Sequence, residues 1–369
     1  MSESITTRKC CLTNFDFTKV LLEKKRPNIG EIELTLFENC HLNCAFCHHD
    51  KKSTVGLSRE GMFSKIPLVE DHLKKMQGMV KTCQINMVGG ELFQDRISDW
   101  AYDVYYDMLI EIKKLYDKYE QEIKVVWVTS FQFSKRDKVQ KLLDDLNEAD
   151  IPSYIICSYD FDGRPVRGPY GKNIEYFADY ITSINMVATV PSIERFMKDD
   201  DEYFHYLYSK FDNFYFDDYI PDKGFDHLIP SDSLYLDFLT FIFHNYPDIN
   251  PISDLIKNEN NHMHCMALNK VTIFPNNSIS NCRWDRYTKS DFNAPLNRQD
   301  NASMMQAYMD EHGCLSCKWW DKCGFRCYTQ WDWKNRERDL PDCVMRMWFN
   351  YQLQYQETHR RLESDVAYN

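Results

Sequence analysis

Between Glu31 and Gly224, short apolar runs alternate with amphipathic stretches regularly enough to be read as strand, helix, strand. The first run carries Ile32, Leu34 and Leu36 between charged or small neighbours. QINMVGGEL, IKVVWVTSF, SYIICSYDFDG, INMVATVPS and DNFYFDDYIPDKG follow as further strands. The segments between them predict helices: LSREGMFSKIPLVEDHLKKMQGMVKT, interrupted near Pro67, then DWAYDVYYDMLIEIKKLYDKYEQ, KRDKVQKLLDDLNEAD, NIEYFADYITSI and ERFMKDDDEYFHYLYSKF. Near-continuous apolar strands alternating with helices predict an α/β fold with a parallel sheet covered on both faces. Six such units are too few to close an eight-stranded barrel.

Residues 1–30 form a polar lead-in, too short for a binding domain of ordinary size. Residues 31–224 form the strand–helix unit, and two helices in 225–261 make a bridge. Cysteines return in 262–348, and 349–369 are the body and tail of a C-terminal helix. The 23 Tyr, 23 Phe and 8 Trp suit a globular protein with buried rings rather than disorder. A net charge of −12 disfavours nucleic acid as a partner. No apolar run approaches the roughly 18 residues of a membrane span, and MSESITTRKCC lacks a signal-peptide core. A cytoplasmic protein without a membrane partner is expected, and its 14 cysteines then point to metal or redox chemistry.

Cys40, Cys44 and Cys47 stand as CHLNCAFC just past the first strand, where barrel enzymes place their chemistry. Thiols packed this closely converge on one metal centre. A 4Fe–4S cluster closed by protein takes four cysteines, so three leave one iron open. Zinc is the alternative, with His48 or His49 as a further ligand. Cys83 and Cys157 belong to apolar runs and read as buried free thiols, and the pair Cys10–Cys11 as structural.

With Leu42 and Phe46 between its cysteines, CHLNCAFC resembles the cluster loop of the radical S-adenosylmethionine (AdoMet) enzymes. That resemblance implies a partial (β/α)6 TIM-like barrel. It also implies AdoMet bound to the open iron and reductively cleaved to a 5′-deoxyadenosyl radical, which takes hydrogen from substrate. Gly89, Gly90 and Glu91 match the family's motif for the AdoMet amino group. Phe46 resembles the aromatic beside the adenine, and Thr129, Ser130, Ser158 and Asp160 stand where the family binds ribose hydroxyls. For those hydroxyl and carboxylate residues, capping of the following helix is the alternative.

Cys314, Cys317, Cys323 and Cys327, with Cys265, Cys282 and Cys343, exceed the ligand needs of one tetrahedral zinc. Their order resembles the SPASM extension, a small C-terminal cysteine-rich domain with two auxiliary 4Fe–4S clusters, making three clusters in all. By that resemblance Cys314, Cys317, Cys323 and Cys343 close one auxiliary cluster. Cys265, Cys282 and Cys327 hold the other one ligand short, with His262, His264, water or substrate at its fourth iron. Asn277 stands where the family often has glycine, and it tolerates the same left-handed turn. Arg283 replaces the aspartate that is the proton acceptor in sulfatase-maturing members, leaving Asp285 as the candidate base.

The resulting expectation is an oxidoreductase that modifies a peptide by hydrogen abstraction, giving a cross-linked or oxidised product. Electrons would come from a donor of the flavodoxin or ferredoxin type, and a separate protein would aid peptide recognition. The alternatives are a small-molecule dehydrogenase, a sulfatase-maturing enzyme and, outside enzymes, a multi-zinc interaction module.

Overall fold

The computed structural model describes residues 29–47, 49–161, 164, 168–219, 225–257, 269–280, 308–320, 322–323 and 339–367. Six strands occur where the pattern predicts them: β1 (Ile29–Thr35), β2 (Thr82–Val88), β3 (Glu122–Thr129), β4 (Ser153–Ser158), β5 (Ile181–Ala188) and β6 (Phe214–Asp218). They lie side by side in chain order, each parallel to the next. Helices α1 (Arg59–Phe63), α2 (Ile66–Met76), α3 (Trp100–Lys118), α4 (Arg136–Glu148), α5 (Pro169–Tyr176), α6 (Val190–Phe196) and α7 (Glu202–Lys210) provide the crossovers. The break near Pro67 is real: Ser58 caps α1 by accepting from Gly61 N–H, and Pro67 stands in the first turn of α2, where its missing N–H costs nothing. One boundary is corrected. Ile181–Ile184, read as helix, belong to β5, because the helix stops at Tyr176 and these β-branched residues pair with β4 and β6.

Period-two alternation divides each strand between two environments. Ile32, Leu34, Ile85, Met87, Val125 and Trp127 are buried, and the Trp127 ring packs 5.6 Å from Tyr105 of α3 and 5.3 Å from Phe93. On β1 and β2 the opposite parity is polar, with Glu31, Glu33, Gln84 and Asn86. Glu31 accepts from Asn86 Nδ2 at 2.7 Å and from Lys270 Nζ at 3.1 Å, while Gln84 Nε2 donates to Asn86 Oδ1 at 2.6 Å. Burial pushes the Tyr215 phenol of β6 upward, and Asp217, Asp254, Asp218 and Glu31 push it further. Glu31 lies on β1, five strands from β6 in the sheet order. Spacings of about 4.8 Å would hold the two roughly 24 Å apart in a flat sheet. The sheet therefore curls, bringing β6 toward β1 across a polar interior.

Beyond β1 the sheet continues with β7 (Lys270–Ile273), parallel to β1, and β8 (Ile279–Ser280), antiparallel to β7. These strands come from the segment assigned in sequence to the cysteine-rich region. Asn277 makes the turn between them at φ 65°, the left-handed conformation expected of it. The bridge helices are α8 (Asp232–Asn245) and α9 (Ile252–Lys257). Helix α10 (Val344–Ala367) packs on α8, with Phe243 lying 6.1 Å from Trp348 and 5.5 Å from Tyr355. Among the described residues no helix is long and apolar enough to cross a membrane.

Two buried basic residues fasten the β7–β8 hairpin. Lys65 is fully buried, and its ammonium donates to Phe274 O at 3.2 Å, Pro275 O at 3.0 Å and Asn277 Oδ1 at 3.1 Å. His72 of α2 bonds Asn269 O at 3.2 Å through Nε2, and burial pushes its imidazole down to about 4. The unfolded chain binds the His72 proton near pH 6.5, so between about 6.5 and 4 it holds more protons than the folded one. His72 thus contributes stability that is complete above about pH 6.5 and is lost as pH falls through about 4, up to about 3 kcal/mol. Urea unfolding of His72→Gln over that window should show a flatter acid dependence than the parent. Identical pH slopes would mean the His72 site does not titrate on folding.

Candidate cluster and cofactor site

The loop after β1 brings three thiols together just beyond the sheet. Its backbone is held by Cys40 N–H donating to Lys51 O at 3.3 Å and Cys47 N–H donating to Cys44 O at 3.3 Å, and Leu42 N–H points to Cys40 Sγ at 3.4 Å. Burial pushes the Cys40 thiol up to about 11, with Glu91, Cys44 and Cys47 adding to the rise. Burial likewise raises Cys44. Thiols that burial keeps from ionising become thiolates when a cationic centre binds beside them. Among the described residues no three His, Cys, Asp or Glu side chains stand close enough to share a single metal ion. A cluster takes each thiolate on a different iron and so accepts a wider set. The three-cysteine loop fits such a group.

Gly89 and Gly90 bring the end of β2 against the entrance of this loop. Gly90 N–H donates to Phe37 O at 2.8 Å, and a Cβ on Gly90 would stand 1.9 Å from Asn39 O. At Gly89 it would stand 2.6 Å from Phe37 O. What these glycines approach closely is the chain's own backbone, directly before Cys40. Glu91 follows, 2 % exposed, with both carboxylate oxygens engaged. Oε1 accepts from Thr129 Oγ1 at 2.7 Å and Phe93 N at 3.2 Å, and Oε2 accepts from Ser130 N at 2.8 Å and from the Ser130 hydroxyl. Thr129 and Ser130 therefore tie β3 to the GGE turn. They do not cap α4, which has no side-chain cap.

Asp160 lies past β4, 1 % exposed. It accepts from Val187 N–H at 2.8 Å and pairs with Arg164 Nε at 3.3 Å. Burial pushes its carboxyl up to about 7, against the downward pull of Arg164 and the Val187 N–H. It does not cap α5, which also lacks a side-chain cap. Ser158 is half-buried at the end of β4, in register with Asn185. Phe46 packs with Tyr219, Leu228 and Ile229, and the Arg164 guanidinium carbon sits 5.5 Å over its ring.

Arg164 is the residue that motif reading missed. Burial works against its charge, but Asp160, Cys44 and Glu91 outweigh it, so this guanidinium is a fixed cation among the cluster loop, the GGE turn and β4. The available signal was its position: an arginine in the Gly- and Pro-containing loop DFDGRPVRG, at the C-terminal end of a barrel strand.

A second group of thiols lies at α10. Cys314, Cys317, Cys323 and Cys343 line one small cavity, walled by Tyr308, Trp319 and Phe349. Burial pushes the Cys314 thiol up to about 12, and Cys343, Cys323 and Cys317 each raise it further. Cys83 and Cys157 are buried within β2 and β4 as free thiols. Cys10, Cys11, His48, His262, His264, Cys265, Cys282, Arg283, Asp285 and Cys327 lie outside the described residues.

No family profile matches the sequence, and no curated protein does. Solved structures do. The chain is similar to anSMEcpe with bound AdoMet, an anaerobic sulfatase-maturating enzyme, at 14% identity and a TM-score of 0.58 over 91% of this chain and 98% of that one. It is similar to anSMEcpe with AdoMet and a Kp18Cys peptide at 14% identity and 0.57, over 92% and 100%. With AdoMet and a Cp18Cys peptide the values are 13% and 0.56, over 91% and 98%. The mostly parallel curled sheet, its helical crossovers and the near-complete overlap establish the architecture: this chain has the partial-barrel fold of the radical AdoMet enzymes.

Proposed function

We propose that this chain is a radical AdoMet enzyme of the SPASM type acting on a peptide, with cross-linking or oxidation of the peptide as its outcome. The observation that carries the proposal is the meeting of Cys40, Cys44 and Cys47 with Glu91 and Arg164 at one end of the sheet. Cys40, Cys44 and Cys47 would hold a 4Fe–4S cluster. When bound there, the cluster supplies the single electron for reductive cleavage of AdoMet.

The chain's own residues provide the rest. Glu91 offers a carboxylate to the AdoMet ammonium, and Arg164 offers a guanidinium to its carboxylate. The hydroxyls of Thr129 and Ser130 can rotate off Glu91 when the ammonium arrives, whereas the N–H donors of Ser130 and Phe93 stay to hold it in place. Ser158 and Asp160 are the candidates for ribose contact, and Phe46 walls the adenine side. Cys314, Cys317, Cys323 and Cys343 would close an auxiliary cluster in the cavity they line. Cys265, Cys282 and Cys327 would hold a third, and Asp285, three residues after Cys282 in the sequence, is the candidate base.

Peptide as substrate is supported by the solved relatives that contain AdoMet together with a peptide. The same relatives favour a second reading, oxidation of a peptide side chain in the sulfatase-maturing manner. An electron donor of the flavodoxin or ferredoxin type in the reducing cytoplasm suits the cysteine usage.

Anaerobic reconstitution with iron and sulfide should give a brown protein that, with dithionite and AdoMet, releases 5′-deoxyadenosine. A colourless protein that takes up zinc in stoichiometric amount and leaves AdoMet intact would overturn the proposal in favour of a zinc module.

A further inference from the structure

Arg346 stands in the wall of the four-cysteine cavity, one turn into α10 after Cys343. Its guanidinium is held in two directions. Nη1 donates to Asp342 Oδ1 at 2.8 Å and Nη2 donates to the main-chain oxygen of His312 at 2.6 Å, and it shares the cavity wall with Cys317 and Cys343. Asp342 Oδ1 also accepts from Cys343 N–H at 2.7 Å. One arginine therefore joins the segment carrying Cys314 and Cys317 to the helix start carrying Cys343. The planar fork of five donors makes this possible, and a lysine ammonium cannot reproduce it. The helix face beside it is fixed as well: Trp319 Nε1 donates to Asn350 Oδ1 at 3.1 Å, and its ring stacks on Phe349 at 5.2 Å.

We infer that Arg346 sets the reduction potential of the cluster held by Cys314, Cys317, Cys323 and Cys343, favouring its reduced form. This rests on the proposal that these four cysteines close a 4Fe–4S cluster. Reduction adds one electron and no proton, so the negative charge of cluster plus thiolates rises by one. A cation beside the sulfurs stabilises the more negative state more than the less negative one. Asp342 neutralises part of that charge from the side of the guanidinium turned to Nη1, while Cys317 and Cys343 line the same cavity as the guanidinium. Arg346 is thus a positioning residue that acts on the cluster through its charge. Leu315, between two of the ligands, is 52% exposed, so the site lies near enough to the surface to equilibrate with a one-electron mediator.

The test uses the full chain carrying Cys40→Ala, Cys44→Ala and Cys47→Ala, reconstituted with iron and sulfide. Dithionite is the reductant, and the reduced clusters are followed by paramagnetic resonance against potential. Arg346→Gln should lower the midpoint of one signal, with the reduced-to-oxidised ratio at fixed potential falling about tenfold, a shift of about 59 mV. Arg346→Lys, which keeps the charge and loses the fork, should shift it less. An unchanged midpoint at unchanged iron content would overturn the inference and leave the cluster proposal standing. Loss of iron in both Arg346→Gln and Arg346→Lys would make Arg346 a brace alone, which also overturns it. If replacing Cys314, Cys317, Cys323 and Cys343 by alanine leaves iron content and spectrum unchanged, the cluster proposal itself fails, and the inference falls with it.

Discussion

Replacement of Cys40, Cys44 and Cys47 together by alanine is expected to remove about one third of the bound iron and to abolish AdoMet cleavage. The one-third figure follows from three clusters of equal iron content, of which this loop would hold one. Two of the loop's backbone bonds run to the Lys51 and Cys44 oxygens, and of the three bonds described only that from Leu42 N–H to Cys40 Sγ is lost with the thiols. Cys40 and Cys47 are half-buried and Cys44 is buried, and each substitution removes a single sulfur atom, so little packing is sacrificed. The iron-free variant should therefore melt within a few degrees of the iron-free parent. Iron and sulfide analysis beside a thermal melt checks both parts. Iron content that is unchanged by the triple substitution would remove the loop from the list of cluster ligands.

The strand–helix order was legible because one parity of these strands is apolar and buried, as at Ile32 and Leu34 or Ile85 and Met87, and β3 adds an unbroken apolar run over Val125–Trp127. The turn at Asn277 was legible because few residues other than glycine tolerate its positive φ. The pairing of β7 with β1 was not. Lys270–Ile273 is four residues long, too short for periodicity to register, and its partner lies far upstream in the chain. The buried clamp of Lys65 was hidden for a related reason. A lysine is read as solvent-facing unless its acceptors are known, and these come from the distant hairpin turn. The GGE turn was found as a motif, but the close neighbours of its glycines, the Phe37 and Asn39 oxygens, are brought there only by the fold. Arg164 belongs to no motif, and only the fold brings it to Phe46, Asp160 and the cysteine loop.

Glu91→Gln is expected to weaken AdoMet binding about tenfold or more and, independently, to lower the stability of the unliganded chain. The two effects have separate causes. For the ligand, the substitution removes the negative partner of an ammonium, and hydrogen bonds to charged groups contribute about 1.5–3 kcal/mol. For the fold, each carboxylate oxygen of Glu91 accepts from one main-chain N–H, Phe93 on Oε1 and Ser130 on Oε2. A glutamine has only one oxygen. Whichever way its amide turns, one of those N–H groups faces an NH₂ and is left unpaired in a site that is 2 % exposed. That costs about 1–3 kcal/mol. The hydroxyls of Thr129 and Ser130 can rotate to accept from the amide, so they offset part of the loss, while the backbone donors cannot move. Calorimetric titration of the cluster-loaded enzyme with AdoMet reads the first effect, and urea unfolding of the iron-free chain reads the second. A lower unfolding midpoint with an unchanged dissociation constant would assign Glu91 solely to bracing β2 against β3, and the AdoMet ammonium would then be received by main-chain carbonyls at the GGE turn. Values unchanged in both measurements would show that neither the bonds to Thr129 and Ser130 nor a charge at this position matters.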